Sequence, residues 1–406
     1  MNKFIKGLLA TSVLLASSVL ASPVFASENN ESAEDEATAI ELNLREKPYL
    51  VAPSMANIPN KFKYDSGINI AYPEDGVKGI YLTPWSAGNP TRMDELISYV
   101  NSNDLNAMVI DIKDDEGYVV TDFKSEDAHI QKNTVDYIEN IDGLMKQLEE
   151  NQIYPIARIV AFKDSVLAAD EPSMSFLNQD GSIWRYGNDE MFINPFLKET
   201  WDYAVNVGIE AAKVGFKEIQ FDYVRFPEVF SDGANGLVYD MGDYGDMDLD
   251  PTEKRVQAIT DFVAYAREKL MPYGVEVSVD IFGYAATVEE ASGIGQDFSD
   301  ISNNVDVISS MIYPSHWGTT YFGIVSPDLH PYELVDEYMK VELPLLESLE
   351  HTPTTRPWLQ DFTASYLGAG NYKEYGQAEV QAQVQALADH GVTEFLLWNA
   401  SNEYTY

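Results

Sequence analysis

Phe216-Lys217-Glu218-Ile219-Gln220-Phe221-Asp222-Tyr223-Val224-Arg225-Phe226 reads as a β-strand with Ile219, Phe221 and Tyr223 on one face and Gln220, Asp222 and Val224 on the other, because successive strand side chains alternate. Val275–Gly283 repeats the pattern, with Val277, Val279 and Ile281 opposite Ser278, Asp280 and Phe282. A parallel strand covered on both faces ordinarily reads as a nearly continuous hydrophobic run. These two strands are apolar on one face only. If helices cover that face, Asp222 and Asp280 turn into the interior of a closed sheet, near the C-terminal ends of their strands.

Six further strand-like runs flank these two: Lys78–Trp85, Asn106–Asp115, Tyr154–Lys163, Asp306–Tyr313, Arg356–Phe362 and Thr393–Asn399. Amphipathic helical stretches fall between them at Thr91–Asn101, Val135–Glu150, Lys198–Val214, Thr252–Leu270, Tyr332–Leu343 and Glu379–His390. Thr252-Glu253 after Pro251 is an acidic helix start and Gly391 a helix stop. Pro344 sets the end of the fifth helix, since the residue before a proline disfavours helix. Alternation of this kind over residues 78–406 predicts an α/β fold, a (β/α)8 TIM barrel with long βα-loop insertions and an irregular N-terminal extension. A doubly wound sheet is the alternative, but the chain has no GxGxxG, GxxxxGK[ST] or GxSxG element. The insertions Asp164–Pro195 and Ser231–Pro251 follow the third and fourth strands and would rim the barrel mouth. The second carries Asp240, Asp243, Asp246, Asp248 and Asp250, without EF-hand spacing, and reads as a solvated acidic loop rather than a Ca²⁺ site.

The same alternation adds to the inward polar set. Val109, Asp111 and Lys113 share parity on the second strand, Arg158 lies on the third and Gln360 on the seventh. A bare buried carboxylate is costly unless paired, so an ion-pair network of Asp222 with Arg225 and of Asp111 with Lys113 or Arg158 is one reading. The other is chemical. Two inward acids on neighbouring strands repel, which raises one pKa and separates a proton donor from an ionised partner. Glycoside hydrolysis needs that arrangement, and active sites of this fold lie at the C-terminal mouth. Trp85, Trp317 and Trp398 stand at or beyond strand ends and Trp358 lies inside the seventh strand, where indole faces suit sugar rings. Tyr313-Pro314-Ser315-His316-Trp317 offers further contacts.

The balance of 26 Lys and Arg against 66 Asp and Glu gives a formal net charge of −40, the opposite of the basic footprint of a nucleic-acid binder. Absence of Cys excludes disulfides, thiolate metal sites and Cys nucleophiles. Five His residues disfavour a multi-histidine centre, so neither a metal nor another cofactor is expected. At the N-terminus, Lys3 and Lys6, the apolar run Gly7–Leu20 and Val24-Phe25-Ala26 have the form of a secretory signal peptide over 1–26. No other apolar run approaches a membrane span. Residues 27–46 are acidic, lack aromatics and read as a disordered linker. Residues 47–77 read as an irregular strap over a domain surface.

Ile110–Gly117 (IDIKDDEG), Ala157–Asp164 (ARIVAFKD) and Gln220–Pro227 (QFDYVRFP), extended by Val279–Gly283, Met311–Trp317 and Trp358–Phe362, resemble the putative glycosyl hydrolase domain family of bacterial secreted proteins. The resemblance spans Lys78 to Asn399 and implies a TIM-barrel relative of the α-amylase and α-galactosidase groups. It implies a nucleophilic Asp at the end of the fourth strand, matching Asp222. It also implies an acid on the fifth, matching Asp280 where those relatives carry Glu, and an Asp on the seventh, matching Asp361. Either of the last two is then a candidate proton donor.

These readings converge on a secreted glycoside hydrolase, working outside the cell or at its surface on an extracellular or cell-wall polysaccharide or oligosaccharide. Asp222 and Asp280 are the expected catalytic pair. Asp111, Lys113, Arg158, Arg225, Tyr313, His316, Trp317, Gln360, Asp361 and Trp398 are expected to bind substrate. A catalytically silent glycan-binding barrel is a second hypothesis. A metal-dependent hydrolase using Asp111, Asp222, Asp280 and His316 is a third.

Overall fold

The computed structural model describes residues 63–232, 236–288, 291 and 293–406. The expected signal peptide, the acidic linker and the strap as far as residue 62 lie outside the described residues. The sheet contains β1 (Lys78–Leu82), β2 (Ala107–Lys113), β3 (Tyr154–Val160), β4 (Glu218–Asp222), β5 (Glu276–Phe282), β6 (Val307–Met311), β7 (Thr354–Thr355), β8 (Trp358–Gln360) and β9 (Phe395–Trp398). All pairings are parallel, and β5 to β6 closes the ring. β7 and β8 both pair with β6 and are two pieces of one strand, interrupted at Arg356-Pro357, where proline has no N–H to give the ladder. The result is a closed eight-position barrel with helices between strands, as the alternating runs imply.

The outward strand faces pack against helices. Ile219, Phe221, Val277, Val279 and Ile281 are buried, and Phe221 meets Phe262 of the helix Pro251–Leu270 edge-on at 5.4 Å. That helix starts with a capping box in which Asp250 accepts from the Glu253 N–H and Glu253 reaches back to the Asp250 N–H, as its acidic start suggests. The helix expected to end before Pro344 instead runs from Pro331 to Glu347. Leu346 lies beyond the proline and is 3% exposed, so its burial favours continuing the helix through a residue that costs it one hydrogen bond.

The barrel interior is polar at both ends. At the N-terminal end the fully buried Arg356 guanidinium pairs with Glu218 at 2.7 Å and with Glu394 at 2.8 Å. Residues 63–77 form no helix or strand and cross this end. Tyr64 N–H donates to the Pro272 carbonyl just before β5. Tyr72 donates to Glu394 at 2.6 Å, accepts from Arg356 at 3.1 Å and packs edge-on against Tyr154. At the other end the two long insertions join. Leu177 and Val238 exchange backbone hydrogen bonds, and Phe176, Phe196, Phe226, Phe230 and Tyr239 form one aromatic cluster between them.

Removing one member of a buried ion pair leaves an uncompensated charge. Glu218→Ala is therefore expected to lower unfolding stability by about 3–5 kcal/mol, whereas Tyr72→Phe, which deletes one hydroxyl, is expected to cost about 1 kcal/mol. Urea unfolding of both variants measures the difference.

Candidate active site

The register between β4 and β5 pairs Phe221 with Val279, so Asp222 and Asp280 stand one step further on, side by side and on the same inward face. Both line a cavity of ≈ 190 Å³ at the C-terminal mouth, together with Asp115, Arg158, Tyr223, Arg225, Tyr313, His316, Trp358 and Trp398 among others. Their exposures are 6% for Asp222 and 2% for Asp280.

The two carboxyls have different surroundings. Asp222 accepts on Oδ2 from Arg158 Nε at 3.0 Å and Nη2 at 2.6 Å, and on Oδ1 from the Tyr223 N–H at 2.6 Å. Asp280 accepts on Oδ1 from Trp358 Nε1 at 2.7 Å. Burial and the neighbouring Asp222 charge push Asp280 well above the usual carboxylate range, overcoming the opposite pull of Arg158 and of the Trp358 N–H. The Asp222 charge thus raises the proton affinity of its neighbour. The residue after Asp222, Tyr223, has φ +51°, a left-handed backbone seldom adopted by a residue with a bulky side chain and of the kind that collects at functional sites.

Arg158 binds more than Asp222. Its Nη1 donates to Asp111 at 2.7 Å and its Nη2 to Asp115 at 3.2 Å, while the guanidinium lies 5.4 Å from the Trp398 ring centre. Asp111, also accepting from the Tyr81 hydroxyl, is pushed up to about 7 by burial despite Arg158. Burial would raise Asp115 too, but the charges of Arg158 and Lys163 outweigh it and hold this group low. The ion-pair network read from the sequence is therefore present with a different partner for Asp222: Arg158 in place of Arg225. Arg225 instead lies 5.0 Å from the ring centres of Tyr223 and Phe282.

Lys113 departs from its expected place. A register shift between Asp111 and Lys113 sets Lys113 opposite Ile159 rather than Val160, and such a bulge turns the following side chain to the other face. Its ammonium is buried on the helix side, bound to Asp164 at 2.8 Å and to the Val160 carbonyl at 2.7 Å, 5.6 Å from the Tyr203 ring centre. Asp361 is also outside the cavity lining: Thr405 donates to both its oxygens, at 2.9 and 2.6 Å, tying down the C-terminal segment. Gln360 is inward and buried but holds other residues, accepting from the Ser315 N–H and donating to Asp328. Asp111 acts from beneath, through Arg158. Tyr313, His316 and Trp398 are at the cavity wall, and Trp317 lines an adjoining cavity of ≈ 870 Å³. That second cavity shares Phe282, Met311 and His316 with the first and adds Tyr186, Glu228, Tyr284 and Tyr321.

Tyr81, Asp115 and Tyr223 belong to the candidate site beyond the expected set, and Trp358 belongs to it through its N–H rather than its ring face. Asp115 closes the second-strand run and Trp358 shares inward parity with Gln360, so both had a positional signal. Tyr81 had the parity of Val109 but no polar motif to mark it. Among the described residues, Asp111, Asp222, Asp280 and His316 form no three-ligand grouping, and neither do Asp240–Asp250. Arg158 occupies the position between Asp111 and Asp222 that a bridging cation would take. In the acidic loop Asp240 accepts from the Gly242 N–H and Asp250 caps a helix.

Asp111 at about 7, Asp114 at about 6, Glu276 at about 7 and Asp280 well above its ordinary value all bind protons more tightly folded than unfolded, with burial the leading cause in each. The unfolded chain releases those protons near pH 4 and the folded chain only higher, so stability falls as pH rises across that window. The urea midpoint is expected to drop steadily between about pH 5 and pH 8, and Asp111→Asn to flatten the pH 5–7 part of the curve.

Two solved structures share the architecture. The PgaB (BpsB) glycoside hydrolase domain from Bordetella bronchiseptica aligns at 14% identity and TM-score 0.56, covering 80% of this chain and 94% of its own. A β-galactosidase from the psychrophilic Marinomonas ef1 aligns at 12% identity and TM-score 0.50, covering 80% and 54%. A hypothetical protein from Ruminiclostridium thermocellum is 32% identical over 50% of this chain and 96% of its own, with TM-score 0.42. No curated protein sequence matches. Residues 79–404 match the model of the family described as "Putative glycosyl hydrolase domain", and the chain belongs to that family.

Proposed function

We propose that this glycoside hydrolase is exported and cleaves a polysaccharide outside the cell or at its wall, with Asp280 as general acid and Asp222 as nucleophile or base. The observation that carries this reading is the pairing of Asp222 and Asp280 at one level of adjacent strands, in one cavity, one bound to the Arg158 guanidinium and the other to the Trp358 N–H. A protonated Asp280 gives its proton to the glycosidic oxygen as the bond to the anomeric carbon breaks, and the remainder of the chain leaves as an alcohol. Asp222, held by Arg158 and the Tyr223 N–H, either bonds to the anomeric carbon or takes a proton from attacking water.

The adjoining cavity supports a polymeric substrate. A leaving group touches the acid, and Phe282, two residues beyond Asp280 on the same face, belongs to both cavities. Sugar units on the leaving side therefore extend over Tyr284, Trp317 and Tyr321. Export is supported by the N-terminal pattern of Lys3, Lys6, Gly7–Leu20 and Val24-Phe25-Ala26; among the described residues no helix is long and apolar enough to cross a membrane.

Asp280→Asn and Asp222→Asn are each expected to lower kcat on a responsive glycan by roughly a hundredfold or more with the fold retained by circular dichroism, read by released reducing ends across a polysaccharide panel. Folded variants that cleave as fast as wild type would overturn the assignment, and glycan affinity without hydrolysis by wild type would favour a binding barrel. Because Asp280 works in its protonated form, activity is expected to fall as pH rises past its elevated value. Mass spectrometry of the secreted protein is expected to find an N-terminus at Ser27.

A further inference from the structure

The hydrogen bond between Trp358 and Asp280 has a directional property. Indole Nε1–H donates and never accepts, so Asp280 Oδ1 is fixed as an acceptor at 2.7 Å. The carbonyl oxygen is the better acceptor of a neutral carboxyl, so this bond favours the Asp280 proton on Oδ2. Among the described residues Oδ2 has no hydrogen-bond partner, and the carboxyl lines the ≈ 190 Å³ cavity. The indole is held in turn: Trp358 is 1% exposed, packs edge-on against Trp398 at 5.5 Å, and sits on β8 opposite Met311 and Leu396.

We propose that Trp358 is the positioning residue of the acid: it assigns the transferable proton to the oxygen facing the cavity and receives the carboxylate when that proton departs. The inference rests on the glycosidase reading for its catalytic meaning. As Asp280 gives its Oδ2 proton to the glycosidic oxygen, the C–O bond breaks, the leaving alcohol keeps the proton, and the negative charge spreads over both carboxyl oxygens. The bond from Trp358 becomes charge-assisted and strengthens at that moment, so it favours the transition state over the ground state. A rotated carboxyl would lose this bond and bury an unpaired indole N–H.

Groups facing Asp280 from the surrounding elements also act on it. Asp222 and Glu218 on β4 raise its proton affinity, Arg158 on β3 lowers it, and Tyr313 after β6 adjoins the same cavity. Among the described residues none of these hydrogen-bonds to Oδ1.

The test removes only the N–H. Trp358 is replaced by 3-benzothienylalanine, an isostere with sulfur in place of the indole N–H, and separately by Phe. Asp280 is followed by its infrared carboxylic-acid band, assigned as the band missing from Asp280→Asn. In both variants the Asp280 titration and the alkaline limb of the kcat profile are expected to move up by about one unit, with kcat on the responsive glycan falling roughly tenfold or more. In the isostere KM is expected to stay near wild type. An unmoved Asp280 band in the folded isostere protein would overturn the proposal, as would an unchanged kcat profile. If Asp280→Asn keeps full activity, the glycosidase assignment of Asp280 fails and takes the catalytic role of Trp358 with it; the infrared titration separates the two failures because it needs no substrate.

Discussion

One guanidinium organises the mouth of this barrel. Arg158 rises from β3 with its side chain 2% exposed and binds Asp111, Asp115 and Asp222 at once. Each partner comes from the end of a neighbouring strand, so the cation ties β2, β3 and β4 at the level where the cavity begins. Burying Arg158 alone would be expensive, and so would burying the Asp111 and Asp222 carboxylates. Burial and the Asp222 charge held in this cluster raise the proton affinity of Asp280 against the opposing pull of Arg158. The same guanidinium that offsets the cost of the buried Asp222 charge thus sets the surroundings of Asp280.

Much of this was legible in the chain. Alternation in Phe216–Phe226 and Val275–Gly283 shows which way Asp222 and Asp280 face, because a strand's parity survives folding when its ladder is unbroken. Where the ladder breaks, parity misleads. Lys113 shares parity with Asp111 in sequence, but the bulge at Ile112 turns its ammonium to the helix layer and Asp164. A bulge of this kind carries no glycine here and leaves no mark in the residues. Asp361 lies just past the end of β8, where strand parity no longer governs, and its fate depends on Thr405 at the far C-terminus. Pro344 shows a third limit: a local preference against helix yields when a residue beyond it, Leu346, has a core position to fill. Tyr81 was silent because a tyrosine in a hydrophobic strand looks like packing until its hydroxyl finds Asp111.

The loops complete what the strands begin. Insertions after β3 and β4 are distant in sequence, yet the Leu177–Val238 pairing and the shared aromatic cluster make them one wall. That wall brings Tyr186 beside Glu228, whose carboxylate accepts from the Tyr186 hydroxyl at 3.2 Å, and so shapes the larger cavity on the side where Phe282 and Trp317 stand. Variation in these loops would alter what is recognised without touching the carboxyl pair, in keeping with a fold whose chemistry and selectivity come from separable parts.

The strap at the opposite end has an architectural effect. Tyr64 and Tyr72 fasten the chain across the N-terminal openings of β3, β5 and β9, so Lys63 lies on the pole away from the orifice. A tag bonded to the Lys63 side chain would therefore grip the barrel at its closed base, opposite the orifice.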